Sequence, residues 1–281
     1  MSGSGSIEQS NAAPGLGLNG SSGVADDDVA RIEEALVAAI EVLRRFTPGA
    51  VAAETKAGGS PVTEADRLVD ATLRELLPRE GEGWLSEESV DDASRLDRSR
   101  VWIVDPLDGT KEFVQGLPEW CVSVGLVVEG RPVAGGIANP ATGEIILGSV
   151  DSGVTLNGVP VSASERQTLQ GALVLASRSE TDRGEWDRFS GHAFEWRPMG
   201  SVAYKLGLVA AGLADATWTL VPKHEWDVAA GAALVAAAGG VVTGLHGGPI
   251  SFNTPTAHLT GMIATGPGVA TPIADLLGTT A

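Results

Sequence analysis

At 281 residues, with 43% hydrophobic and 20% charged positions, the chain is long enough to bury a sizeable core and too apolar to be disordered throughout. Its 36 acidic residues against 19 basic ones leave a net charge of −17, which argues against a nucleic-acid polymer or an anionic membrane as partner, since both are recognised by clustered Lys and Arg. The single cysteine, Cys121, excludes an internal disulfide and reads as a small buried hydrophobe; with no basic-then-apolar leader pattern at the N-terminus, a cytoplasmic protein is expected.

Residues 1–24 are rich in Gly, Ser and Asn, offer almost nothing to bury, and are expected to form a disordered tail. A helix is predicted from the cluster Asp26, Asp27 and Asp28 to about Phe46, with Val29, Ile32, Leu36, Ile40 and Leu43 on its apolar face. The run SPVTEADRLVDATLRELLP predicts a second helix, capped by Thr63, stopped by Pro78 and carrying Asp66 in its first turn. A strand VWIV then leads into DPLDGT, and further strands are predicted at 121–128, 133–138 and 144–148, separated by Glu-Gly, Asn-Pro and Thr-Gly turns. Residues 25–160 therefore read as an α+β half with a mainly antiparallel sheet.

Beyond Val161 the texture alternates between strand and helix: ALVLAS, a helix from about Val202 to Gly212, a strand near Ala216 to Leu220, an Ala-rich helix from Asp227, then short strands and a last helix. Residues 161–281 thus read as an α/β half. With no repeat and no linker between them, the two halves are expected to share an interface and to bind a ligand there.

Four acidic sites follow one pattern, an acid at a strand end or helix start beside small residues: Asp66 in TEAD, Glu87 in LSEES, Asp105 with Asp108 in DPLDGT, and Asp227 in EWDVAAG. Singly, each has a plain reading. Asp66 favours the helix dipole, Glu87 is a solvated loop acid, Asp105 and Asp108 form an Asp-Pro turn followed by Asp-Gly, and Asp227 caps its own helix. Gathered at one place, such carboxylates repel unless cations neutralise them, and an all-oxygen donor set selects a hard ion such as Mg2+. No C-x-x-C or H-x-x-x-H spacing points to zinc, and DPLDGT lacks the alternating ligands of an EF-hand loop. Gly109 and Thr110 are expected to open a short helix or turn whose free amides face an anion. Two or three Mg2+ would bring the five carboxylates and a phosphate monoester of charge about −2 near neutrality.

DPLDGT, with SEE upstream and WDVAAG some 120 residues later, resembles the inositol monophosphatase superfamily of Mg2+-dependent, lithium-sensitive phosphatases over about residues 27–270. The resemblance implies a layered α-β-α-β-α sandwich. It implies that Glu87, Asp105 and the carbonyl of Leu107 hold one metal, that Asp105, Asp108 and Asp227 hold a second, and that Glu87 and Asp66 reach a third through water. It further implies in-line attack on phosphorus by a metal-activated water, which Thr110, oriented by Asp66, positions or deprotonates. The rival chemistry, an aspartyl nucleophile followed two residues later by an acid, is not met, because Asp105 and Asp108 are three apart.

Within the superfamily, SPVTEAD, LSEES, DPLDGTKEF, GSVAYK and EWDVAAG are most similar to the 3'(2'),5'-bisphosphate nucleotidase branch, whose members convert 3'-phosphoadenosine 5'-phosphate to AMP. On that resemblance Gly109, Thr110, Ser201, Lys205, Arg178 and Asp227 are expected to contact substrate, with Lys205 and Arg178 meeting the second phosphate and Lys56 and Lys111 near the mouth. Plain alternatives stand beside these: surface charge for the lysines, helix capping for Ser201, core packing rather than base stacking for Trp120 and Trp226, and a supporting or surface place for His224. The main functional alternative is a same-fold phosphatase of inositol 1-phosphate, histidinol phosphate or fructose 1,6-bisphosphate. A non-catalytic Mg2+- or nucleotide-binding regulator is a further one. Relatives of this kind are often homodimers.

Overall fold

The computed structural model describes Val24 and residues 27–55 and 61–279. All of the expected tail except Val24, and Lys56 as well, lie outside the described residues. Helix α1 (Asp28–Leu43) buries Ile32, Leu36 and Leu43 of the expected face and leaves Val29 and Ile40 half-buried, because the buried stripe is centred on Ala35 and Ala39. It stops three residues before Phe46, because the amides of Arg45 and Phe46 bond back only three residues, to Val42 and Leu43. A short antiparallel pair, β1 (Glu54–Thr55) and β2 (Pro61–Val62), leads into α2 (Glu64–Leu76). That helix opens in a capping box: Thr63 Oγ1 accepts the Ala65 amide, while Asp66 accepts the Thr63 amide.

The first sheet has seven strands in sequence order: β3 (Gly83–Ser86), β4 (Arg100–Asp108), β5 (Cys121–Val128), β6 (Arg131–Asn139), β7 (Glu144–Ser149), β8 (Gly153–Leu156) and β9 (Val159–Val161). Only β3 and β4 pair in parallel; the remaining pairs are antiparallel. The short helix α3 (Thr110–Gln115) follows β4. One face of the sheet, through Trp102, Val104, Val122, Val124 and Leu126, packs on α1 and α2. The second sheet contains β10 (Leu173–Ser177), β11 (Glu195–Met199), β12 (Ala216–Thr219), β14 (Val241–Thr243) and β16 (Met262–Thr265), ordered β11-β10-β12-β16-β14. A small pair, β13 (Lys223–His224) with β15 (His258–Leu259), lies outside it.

Helices α4 (Arg178–Asp182), α5 (Val202–Ala210), α6 (Ala229–Ala237) and α7 (Ala270–Leu277) complete the chain. Residues of α5 and α6 share one core with Val101, Ile103 and Ile137 of the first sheet and with Leu175, Met262 and Ala264 of the second. The sequence AAGAALVAA of α6 is apolar all round because sheets flank it on both sides. On the outer face of the second sheet, Trp186, Phe189, Trp218 and Ile273 of α7 form a third core. The layers are therefore α-β-α-β-α, as the sequence resemblance implied.

Two backbone features bring chemistry to the junction of the layers. Along β4, Val101 and Ile103 face α5 and α6, whereas Trp102 and Val104 face α1 and α2. Strict alternation would set Asp105 and Asp108 on opposite faces. The β4–β5 register instead shifts by one residue, with Asp105 opposite Ser123 and Asp108 opposite Cys121. This bulge inverts the parity: Leu107 joins the α1–α2 core, and both acids come to the α6 side.

The second feature is the close seat of α6. A Cβ on Gly125 would lie 2.8 Å from the Ala230 amide nitrogen, and one on Gly135 would lie 2.5 Å from the Ala230 carbonyl oxygen. Only glycine lets the start of α6, two residues beyond Asp227, rest directly on β5 and β6. Gly135→Ala is expected to lower stability by about 1–3 kcal/mol through overpacking against backbone and, by pushing α6 and with it Asp227 away from the sheet, to weaken any binding of a divalent cation there. Urea unfolding with and without Mg2+ measures both; an unchanged midpoint would mean that the helix does not need this approach.

Candidate active site

Asp105, Asp108 and Asp227 each bring a ligand oxygen to within 4.8 Å of the others. Each carboxylate is anchored through one oxygen. Asp105 Oδ1 accepts the Leu107 amide at 3.0 Å, closing the turn at Pro106. Asp108 Oδ2 accepts Ser201 Oγ at 2.7 Å and the Ala203 amide at 2.6 Å, tying the end of β4 to the start of α5. Asp227 Oδ2 accepts the His224 amide at 3.0 Å. This bond differs from the helix cap expected for Asp227, because α6 begins only at Ala229 and Val228 holds the cap position without a side-chain bond.

The electrostatics follow from the crowding. Burial, then the charges of Glu87, Asp108 and Asp227, raise the Asp105 carboxyl well above the usual carboxylate range. Burial, then Asp108 and Glu87, push Asp227 up to about 8. Asp108 is raised by burial despite its bonds to Ser201 and Ala203. Glu87 thus faces the three aspartates electrostatically from the loop after β3. A crowded set of carboxylate oxygens strained against its own charge fits a hard divalent cation, which would relieve the repulsion by ligation.

Asp66 and Thr110 form a second group beside the first. Asp66 is buried, and its Oδ2 accepts the Thr63 amide at 2.8 Å and Thr63 Oγ1 at 2.6 Å. Its Oδ1 lies 2.9 Å from Thr110 Oγ1, which also lies 3.0 Å from the Leu107 carbonyl oxygen. Gly109 makes this approach possible: its φ is +97°, and a Cβ there would sit 2.8 Å from the Glu119 carbonyl oxygen.

Next to Asp108 opens a cleft of about 150 Å³ lined by Lys111, Arg178, Lys205, Lys223 and Glu112, among others. Arg178 is held by Glu119, to which it donates from Nε at 3.2 Å and from Nη2 at 2.6 Å; Glu119 also accepts the Gly200 amide at 2.8 Å. Lys205 is buried, donates to the Met199 carbonyl at 3.3 Å, and is pulled down to about 8 chiefly by desolvation. Ser201, expected to contact substrate, is held by two bonds within the protein. Its hydroxyl is committed to Asp108 and to the Tyr204 amide, at a strained φ of +48°, so it places a carboxylate and caps α5. Trp120 is core, buried edge-on against Phe113, and Trp226 stacks on His224 rather than lying open for a base.

The model of the inositol monophosphatase family matches residues 25–273. The chain belongs to that family. Inositol-1-monophosphatase of Synechocystis is 32% identical over 231 residues, covering 79% of this chain and 80% of its own length. The Nus factor SuhB of Escherichia coli is 30% identical over 213 residues, covering 72% and 78%. The structure of inositol monophosphatase from Anabaena superposes with a TM-score of 0.74 at 28% identity, over 90% of this chain and 96% of that one. This inositol monophosphatase family member is a phosphomonoester hydrolase acting on small phosphorylated metabolites. Among its described residues, no helix is long and apolar enough to cross a membrane.

Sequence reasoning missed the supports of the Glu87 loop. Asp70 on α2 accepts hydrogen bonds from Ser86 and Ser89, gripping SEES from both ends. Its signal was in the sequence: Asp70 follows Asp66 by four positions, one turn along the same helix face. Glu119 was likewise missed, because nothing local connects it to Arg178, 59 residues away.

The raised carboxyls give the metal-free phosphatase a defined pH dependence. A carboxyl whose folded pKa exceeds its unfolded value holds extra protons in the native state, so its contribution to stability falls as pH rises between the two. For Asp227 that window runs from its unfolded value of 3.8 to about 8, and the raised carboxyls of Asp105 and Asp108 act in the same direction. Glu82, held down at about 2 against burial by Arg31, Trp102 and Arg100, works in the opposite sense, but only below its unfolded value of 4.5. In EDTA the Tm is expected to fall from pH 5 to pH 8, and Mg2+ is expected to flatten that slope. Equal slopes with and without Mg2+ in calorimetric scans would contradict the cluster's role.

Proposed function

We propose that the enzyme removes the 3'-phosphate of 3'-phosphoadenosine 5'-phosphate, using Mg2+ at two or three positions. The observation that carries this reading is the cleft beside Asp108. In a chain with 36 acids and 19 basic residues, four cations, Lys111, Arg178, Lys205 and Lys223, line one small cleft next to the acidic cluster. A monophosphate would be served by the metals and by local amides. A second phosphate on the leaving group needs fixed positive charge a few ångströms further on, and the clamp of Glu119 on Arg178 orients one such charge in advance.

Glu87, Asp105, Asp108, Asp227 and the carbonyl of Leu107 would hold the Mg2+ ions, which when bound lower the pKa of a coordinated water and offset charge on the phosphoryl oxygens. The protein's own part is proton placement. Asp66 Oδ2 is saturated by Thr63, so its Oδ1 is the oxygen available to the Thr110 hydroxyl. Thr110 gives its proton to Asp66 Oδ1 and turns a lone pair to the attacking water, whose proton it accepts in turn. The homodimer implied by the sequence resemblance belongs to the same proposal and is read by light scattering.

A second reading, hydrolysis of inositol 1-phosphate, is favoured by the names of the relatives from Synechocystis and Anabaena. The two separate by phosphate release in Mg2+ from each substrate. A preference of a hundredfold or more in kcat/KM for the nucleotide, about 2.7 kcal/mol of discrimination, supports the bisphosphate reading, whereas comparable rates or the reverse order would overturn it. Lys205→Met is expected to raise KM for the nucleotide about tenfold or more and to change that for inositol 1-phosphate far less. Thr110→Ala is expected to lower kcat at least about a hundredfold with Mn2+ affinity retained in equilibrium titration; a near-normal kcat would remove Thr110 from the mechanism.

A further inference from the structure

The ligands of the metal cluster come from segments far apart in the chain, Glu87 from the loop after β3 and Asp227 from the turn before α6. A third segment, residues 252–259, joins those two. Glu225 is completely buried two residues before Asp227, and its carboxylate is filled by that segment. Oε2 accepts the Asn253 amide at 2.7 Å, and Oε1 accepts the Thr254 amide at 2.9 Å and Thr254 Oγ1 at 2.6 Å. The Glu225 amide in turn donates to the Ala257 carbonyl at 2.9 Å, continuing the pairing of β13 with β15.

The opposite side of the segment is held by Arg95, only 1% exposed. Nη1 donates to Asn253 Oδ1 at 2.7 Å and Nη2 to the Thr254 carbonyl at 2.9 Å, while Asn253 Nδ2 donates back to the Arg95 carbonyl at 3.1 Å. Nε and Nη2 also engage Asp91, at 3.1 and 2.9 Å. The backbone of Arg95 lies against Gly83 of β3, where a Cβ would come within 3.2 Å of Arg95 Cα. Arg95 is thereby fixed to the strand that delivers Glu87. Asn253 and Ala257 are held at φ of +57° and +51°, a conformation Ala adopts only under constraint.

We propose that Arg95 and Glu225 are positioning residues that latch residues 252–259 between the two ligand-bearing arms, setting the separation of Glu87 from Asp227 and hence the affinity of the metal cluster. The inference rests on the metal reading given above. A buried carboxylate filled by three donors and a buried guanidinium spanning two segments leave each arm little freedom of its own. Loosening either end lets Glu87 and Asp227 relax apart under their mutual repulsion, so that ligation must first restore the geometry.

The test is equilibrium Mn2+ binding to the 281-residue chain, followed by electron paramagnetic resonance and compared with Tm. Glu225→Gln keeps the shape but turns an amide NH2 toward backbone donors, and Thr254→Val removes a single bond to the same carboxylate, guarding against a misfolded first variant. Arg95→Lys loosens the other end. Asp215→Asn is the control for plain destabilisation, since Asp215 is buried just before β12 and holds Arg166 and the Leu173 amide. The expected result is a rise of more than threefold in Mn2+ Kd for each latch variant relative to the control at matched loss of Tm. A Kd within threefold of the control makes the residues merely structural and overturns the proposal. Wild-type protein that fails to bind Mn2+, or binds it equally well after Asp105→Asn, instead overturns the metal reading beneath it.

Discussion

Repulsion among carboxylates is the constraint on which this structure turns. Buried Asp105 and Asp108 and half-buried Asp227 hold ligand oxygens within 4.8 Å of one another, with Glu87 adding a further charge. No set of acids adopts that arrangement spontaneously, since burial and like charge both penalise ionisation. The scaffold therefore has to supply the confinement, and the anchored oxygen on each aspartate shows how. Leu107, Ser201 with Ala203, and His224 each donate to one carboxylate, so the crowding is fixed by hydrogen bonds before any cation arrives. Such preorganisation converts unfavourable electrostatics in the free protein into affinity for a divalent ion.

Two departures from regular structure carry most of this. The extra residue in β4 turns Asp105 and Asp108 to one face, and Gly125 with Gly135 lets the α6 backbone sit directly on the sheet, so Asp227 meets them. The remaining supports reach the site from other elements. Asp70 and Asp66 lie one turn apart on α2; the first grips the Glu87 loop and the second faces Thr110. A single capped helix thus places the Glu87 loop and Thr110 relative to each other. Asn253 likewise bonds to both Arg95, beside β3, and Glu225, two residues before Asp227.

The charge distribution also acquires a meaning that bulk composition hides. A net charge of −17 is a poor background for binding a phosphate ester. The molecule meets this locally, by an acid cluster suited to cations and by four basic side chains around the neighbouring cleft. One of these, Lys205, is buried in α5, where desolvation works against its charge and nearby Asp108 works for it. That tension ties the cleft's basicity to the state of the acidic cluster.

The local sequence determined a good deal by itself. Thr63 with Asp66 marked the start of α2, because a capping box needs only residues three apart, and the apolar spacing of α1 and the alternation of β5 to β7 marked those elements, because periodicity reports which face is buried. The motifs DPLDGT and WDVAAG, with the Glu of LSEES, were enough to select the family and to single out Asp105, Asp108 and Asp227, which the fold brings together. What the tertiary structure decided was orientation and partnership. Whether Asp105 and Asp108 share a face depends on a bulge that is defined by pairing with β5. That Ser201 reaches Asp108, 93 residues before it, depends on where α5 docks. Whether Arg178 stands free or is clamped depends on Glu119, 59 residues away. Buried carboxylates such as Glu225 are invisible to periodicity, since their partners lie on distant segments and no local spacing encodes them. Short-range physics is written in neighbouring residues, whereas the geometry of a charged site is set by which backbone surfaces can approach one another, and only the folded chain brings those surfaces together.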